Sequence, residues 1–206
     1  MGLDYSFELY FPRDKLWDVV QSVAAIQKPI EGASTEVVLP GRTLYLPFTS
    51  RLESGTLIFD ASIDRLEFDT ALYFPMDEAL ATYIEDTRQN FASQTPPDSW
   101  EPSFDEQGRC AVGYIYLFIH LRMGPHETLQ LQPKPDVICF TFAAATTNMS
   151  LLFRESPSIH QTFLWLLEAH DGVAAYFDDE SGYGPILWPP HLAPDNTAAF
   201  NQLLYG

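Results

Sequence analysis

Positive charge is scarce in this sequence: 206 residues carry 11 Lys and Arg against 28 Asp and Glu, a formal charge of −17. A surface this acidic repels phosphate, which excludes sequence-independent binding to nucleic acid and to an anionic membrane. Long apolar runs are missing too. Nothing approaches the ~20 residues needed to span a bilayer, and the first residues lack the basic-then-apolar pattern of a secretory leader. Only Cys110 and Cys139 are present, not as C-x-x-C, so they cannot build a disulfide framework; both read as reduced, buried thiols. His120, His126, His160, His170 and His191 show no H-x-x-x-H or H-E-x-x-H spacing, so no metal site is expected. There is no G-x-S-x-G, no G-x-x-x-x-G-K-[ST] and no G-x-G-x-x-G after a strand. These absences predict a soluble, cytoplasmic protein without a cofactor or recognisable catalytic residues.

What is present suffices for a packed core: 46 % of residues are hydrophobic and 14 % aromatic, so global disorder is excluded. The length fits one large domain or two small intimate ones. The charge is uneven. Residues 1–60 carry −3, residues 61–108 carry −9, residues 109–154 carry +2, and residues 155–206 carry −7 with no Lys or Arg. Blocks of one sign create a long-range field that speeds encounter with an oppositely charged partner. The near-neutral stretch reads as buried sheet.

Tyr5, Phe7, Leu9 and Phe11 alternate with polar positions and predict a half-buried strand stopped by Pro12. A helix follows to about Gln27, with Asp14 as its cap and Leu16, Val20 and Val23 on an apolar stripe. Short strands are expected over 36–39 and 43–48. Residues 56–74 read as a hairpin with Asp64-Arg65 at its tip, a register that places Asp60 opposite Asp69. Leu9-Tyr10-Phe11-Pro12-Arg13-Asp14 recurs as Leu72-Tyr73-Phe74-Pro75-Met76-Asp77, a reused strand-to-helix corner in which Asp77 caps a helix over 78–91. Residues 92–108 are polar, acidic and without periodicity, and read as a joining loop. Strands are expected over 110–123, 127–132, 137–145, 173–177 and 186–188. Helices are expected over 157–169, begun by Ser156-Pro157, and over 197–204 behind Asp195.

Three groups could carry chemistry. On the strand through residue 120, Tyr114, Tyr116, Phe118, His120 and Arg122 alternate with an aliphatic face. Rings with polar tips, an imidazole and a guanidinium could line a ligand or partner groove, or bond internally beneath helices. Asp60, Glu67 and Asp69 fall on one face of the expected hairpin, where Glu8 joins them if the first strand is adjacent. Buried, such carboxylates would share a proton or hold a cation; exposed, they are a solvated face. Asp178, Asp179 and Glu180 precede Ser181-Gly182 without the spacing of a calcium loop. Arg154, Ser156 and Ser158 could also hold an anion at a helix start, a position that capping alone explains.

The resulting expectation is an α+β fold, a mainly antiparallel sheet with helices on one face, as one domain. Within it, 1–91 and 109–206 could each be ferredoxin-like, joined by the acidic loop. Two functions follow. The first is a non-enzymatic acidic interaction protein, an inhibitor or immunity-type factor that binds a basic partner protein. The alternative is a small-molecule binder or enzyme using the aromatic, His and Arg strand face.

Overall fold

Alternation builds the first strand and proline ends it: β1 spans Ser6–Pro12, one 3-10 turn covers Arg13–Lys15, and α1 covers Leu16–Ala25. The computed structural model describes residues 3–29, 32, 34–50, 55–60, 62–92, 101–121, 134–180 and 184–205. The chain continues through β2 (Thr35–Leu39), β3 (Arg42–Leu46), β4 (Thr49–Ser50), β5 (Thr56–Ile58), β6 (Arg65–Phe74) and α2 (Glu78–Ala92). It then forms β7 (Cys110–His120), β8 (Val137–Ala144), α3 (Thr147–Glu155), α4 (Pro157–Ala169), β9 (Ala174–Asp178), β10 (Ile186–Trp188) and α5 (Thr197–Tyr205). The strand expected over 127–132 lies outside the described residues.

Seven strands form one sheet in the order β10-β9-β1-β8-β7-β6-β4, with every neighbouring pair antiparallel. A second sheet has the order β3-β2-β5. The fold is α+β. Strands from 1–91 and from 109–206 share the large sheet, because β1 lies between β8 and β9 while β6 lies against β7. This corrects the expectation of a ferredoxin-like arrangement in each half. That connectivity of two interleaved β-α-β units is traced once, by β1, β7, β8 and β9, with β2–β6 and α2 inserted before β7.

The hairpin over 56–74 is also corrected. β5 pairs in parallel with β2, and β6 pairs with β4 and β7, so Asp69 faces Thr49 and Tyr116 rather than Asp60. An alternating strand fits any partner with a matching face, and Asp-Arg is a poor two-residue turn. Asp60 instead closes a local turn, accepting a bond from the Ser62 N–H at 2.6 Å.

One sheet face carries the main core. Phe7, Leu9 and Phe11 of β1, Ile138, Phe140 and Phe142 of β8, and Ile115, Leu117 and Ile119 of β7 all point to it. Leu16, Val19, Val20 and Val23 of α1 cover it, with Met149, Leu152 and Phe153 of α3 and Ile159, Phe163, Leu166 and Leu167 of α4. The α4 stripe is the one its spacing predicts, and Trp165, off that stripe, is 48 % exposed. At the centre, Phe163 meets Phe142 at 4.6 Å and Phe7 at 4.7 Å between ring centroids.

The opposite face is covered in part by α5, whose Phe200 and Leu204 pack with Tyr10, Val137, Cys139, Ala174 and Ile186. Helices therefore lie on both faces rather than one. For the same reason β1 is buried on both faces and not half-buried. Helix α3 has no counterpart in the sequence reading; Thr146 caps it, accepting from the Met149 N–H at 3.3 Å. Helix α5 is capped by Asn196, which accepts from the Ala199 N–H at 3.1 Å, and not by Asp195.

His160 sits in the main core's rim and makes a pH prediction. Its Nε2 lies 2.7 Å from the Phe153 carbonyl, so that nitrogen carries the proton and donates. Burial pushes the imidazole below its ordinary value of 6.5, a fall the Phe153 bond partly offsets. With the folded value depressed, the unfolded chain takes up the proton first as pH falls. The neutral ring's contribution is full above about pH 6.5 and is lost as pH falls from there through the folded value. Between pH ~7 and ~5 the urea midpoint of the wild type should fall further than that of His160→Gln. Parallel curves for the two proteins would remove His160 from the acid response.

Candidate functional site

The face opposite the main core is organised in rows by strand register. Tyr176, Glu8, Thr141, Phe118 and Glu67 lie side by side on successive strands. So do Ala174, Tyr10, Cys139, His120 and Arg65. A third row runs Asp178, Ser6, Ala143, Tyr116, Asp69 and Thr49.

Of the aromatic set, Tyr116, Phe118 and His120 form a ladder with centroids 6.4 and 6.5 Å apart. Tyr116 and Phe118 are half-buried and His120 is buried. Tyr114 leaves the ladder. The β6–β7 register shifts between Thr70 and Ala71, which face Ile115 and Gly113, so Tyr114 is the extra residue of a bulge with φ +61° and is 75 % exposed. Bulges re-aim a side chain in this way. Arg122 lies outside the described residues. The cation that meets the ladder is Arg65, whose guanidinium stands 5.5 Å from the Phe118 ring centroid while pairing with Glu67 at 2.5 Å. Its place opposite His120 depends on the β6–β7 pairing, which the hairpin reading hid.

The acidic residues do not gather. Asp69 and Asp178 share a row but are four strands apart, about 19 Å at the usual strand spacing. Asp178 accepts from the Glu180 N–H at 2.9 Å in a local turn, and Asp60 belongs to its own turn beyond β5. Among the described residues, no three His, Cys, Asp or Glu side chains come together as a metal-ligand group.

Under α5 the same face turns polar and buried, a feature the sequence reading missed. Glu8 is 2 % exposed, and the Tyr10 hydroxyl donates to its Oε2 at 2.7 Å. Burial pushes the Tyr10 hydroxyl and the Cys139 thiol well above their ordinary ranges, and the Glu8 charge pushes both further. The visible signal was only the alternation of Ser6, Glu8 and Tyr10 on a strand whose other positions are Phe and Leu.

A cavity of about 650 Å³ opens elsewhere, between α2 and α3. Its carboxylates are Asp77, Glu78, Asp86 and Glu155, and its apolar lining includes Tyr83, Leu151, Leu152 and Pro157. None of its described lining residues is Lys or Arg. Glu78, Thr82 and Asp86 recur every fourth residue and so share one side of α2. Glu155 makes an exposed pair with Arg154 at 2.8 Å, of the kind worth little in water.

Asp77 at the cavity rim is structural as well. Its Oδ1 accepts from the Leu80 N–H at 2.8 Å, capping α2. Its Oδ2 accepts from the Ser156 hydroxyl at 2.7 Å and the Ser158 N–H at 2.9 Å, at the start of α4. Burial alone would raise this carboxyl, but the bonds from Leu80, Ser156 and Ser158 outweigh it and hold the group below its ordinary value. The anion at the α4 N-terminus is thus supplied by the chain itself, which accounts for Ser156 and Ser158 without a ligand. The repeated corner is not repeated in chemistry. Asp14 lies inside the 3-10 turn, and α1 begins without a side-chain cap.

No described helix is long and apolar enough to cross a membrane. No known family matches the chain, and neither characterised proteins nor solved structures yield a similar one.

Proposed function

We propose that this chain is a non-enzymatic acidic interaction protein that binds a basic partner protein, as an inhibitor or immunity-type factor does, with the α2–α3 groove receiving the partner's cations. The observation that carries this reading is the lining of the groove, where Glu78 and Asp86 share one exposed side of α2 and none of the described lining residues is Lys or Arg. Its apolar lining suits the stems of Lys or Arg side chains, whose charged ends would reach the rim. The overall charge of −17 supports the same reading by steering a basic protein toward the surface.

The test is kinetic. Partners recovered by cross-linking should be basic, and their association should slow steeply as salt rises from ~10 to ~150 mM. Glu78→Gln with Asp86→Asn should slow association at low salt severalfold while lowering stability by no more than about 1 kcal/mol, since both are exposed and only Glu78 lies in the first turn of α2. An on-rate indifferent to both salt and these substitutions would sink the proposal. The alternative, a small-molecule binder or enzyme, rests on the Tyr116, Phe118 and His120 ladder under Arg65. It predicts instead a ligand whose binding Phe118→Ala abolishes and Glu78→Gln leaves untouched.

A further inference from the structure

We propose that α5 is a lid that opens as a unit while the rest of the large sheet stays folded, uncovering Glu8, Tyr10 and Cys139 beside the Phe118–His120 ladder. The packing is divided in a way that makes this the weakest seam. The main core, under α1, α3 and α4, joins helices to β1, β6, β7, β8 and β9 through several rows of Phe, Leu, Ile and Val. The core under α5 is separate and small, with Tyr10, Val137, Cys139, Ala174, Ile186, Phe200 and Leu204 as its buried members. Helix α5 contributes two buried side chains to it, Phe200 and Leu204.

A nine-residue helix is marginal by itself, so α5 persists through that contact, one side-chain hydrogen bond between Tyr205 and Tyr10, and its end bonds. At its C-terminal end those bonds come from one residue: the Lys134 backbone N–H donates to the Leu204 carbonyl at 2.8 Å, and its Nζ donates to the Gln202 carbonyl at 3.3 Å. What the lid covers is also less favourable to cover than the main core. Glu8 and the Tyr10 hydroxyl are polar groups taken from water, which makes this face costlier to cover. Burial likewise pushes the Tyr205 hydroxyl on the lid above its ordinary value, with the Glu8 charge adding to it. Local openings follow few buried apolar contacts. Opened, Tyr10 and Cys139 become accessible in the row that continues through His120 to Arg65.

Two readouts test this on the full chain. In native-state hydrogen exchange, the amides of α5 should open at a lower free energy, and with a shallower urea dependence, than those of β1 and β8. Thiol labelling gives the second, because Cys139 lies under the lid while Cys110 begins β7 in contact with neither α5 nor its core. Cys139 should label faster than Cys110 in the unaltered protein. Phe200→Ala should speed Cys139 on the order of a hundredfold with Cys110 nearly unchanged. Equal labelling rates with the same urea dependence at both thiols would overturn the proposal, as would α5 amides exchanging together with those of β1. Should Phe200→Ala fail to fold, the exchange and labelling of the unaltered chain still decide.

Discussion

Replacement of Phe163 by Ala should lower the free energy of unfolding by about 3–5 kcal/mol, read as a drop in urea midpoint with unchanged slope. The residue is essentially fully buried, and its ring lies within 6.2 Å of four others: Phe142, Phe7, Phe74 and Phe153. These neighbours come from β8, β1, β6 and α3, so no single element can move in to fill the space. A packed interior forfeits both the transfer energy of the ring and the contacts lining the void. Since whole domains are stable by only about 5–15 kcal/mol, the variant should be partly unfolded on modest warming. Trp165→Ala, two residues along on the exposed side of α4, should change stability by about 0.5 kcal/mol or less. Equal losses at the two positions would mean that α4 is packed on a different side from the one described.

Asp77→Ala should cost about 2–4 kcal/mol, more than an ordinary cap. Loss of a cap on one helix is worth about 0.5–2 kcal/mol. Here the same carboxylate also accepts two bonds at the start of α4, and charged acceptors are worth about 1.5–3 kcal/mol each before the loss is shared. Ser156, fully buried, would keep its bond to the Ile159 N–H but lose its charged acceptor. Asp77→Asn should not rescue, because an amide turned toward Leu80 presents its NH₂ to the Ser156 and Ser158 donors. Asp14→Ala should be near neutral, its side chain being exposed and outside any cap. The pH dependence follows from the depressed carboxyl. Its contribution is present above the ordinary value of 3.8 and is lost as pH falls through the lower folded value. The acid limb of the wild-type stability curve should therefore be steeper than that of Asp77→Asn. Equal sensitivity of Asp14 and Asp77 to Ala would restore the idea of two equivalent corners.

The contrast between these two aspartates measures what was legible. Several local signals held, since Ser156-Pro157 starts α4, Pro12 ends β1, and the stripe Ile159, Phe163, Leu166 and Leu167 is buried, while the caps expected at Asp14 and Asp195 did not form. The α+β class followed from the same signals. Pairing did not, because alternation tells a strand which side to bury and not which strand to choose. The apolar side of β6 fits β7 as well as it would have fitted β5, and the hairpin, the Asp60–Asp69 pair and a separate ferredoxin-like sheet in each half all fell with that choice. The aromatic ladder was legible from spacing except at Tyr114, where a bulge breaks the period of two. The α2–α3 groove was not legible at all. Most of its residues lie on α2 and α3, which β7 and β8 separate in sequence, and α3 had no signal of its own.

The central position of β1 has a consequence for how the chain reaches this fold. Ser6 must find Ala143 on one side and Asp178 on the other, so the earliest strand completes the sheet only with some of the latest. Pairings this distant in sequence demand long loop closures, which slow folding and leave collapsed intermediates populated. During synthesis β1, apolar on one side and destined for burial on both, waits without partners until β8 and β9 have emerged. Such a strand is a target for chaperones and a seed for aggregation. The abundance of carboxylates opposes this, since self-repulsion between unfinished chains disfavours that waiting strand meeting its copy on a neighbour.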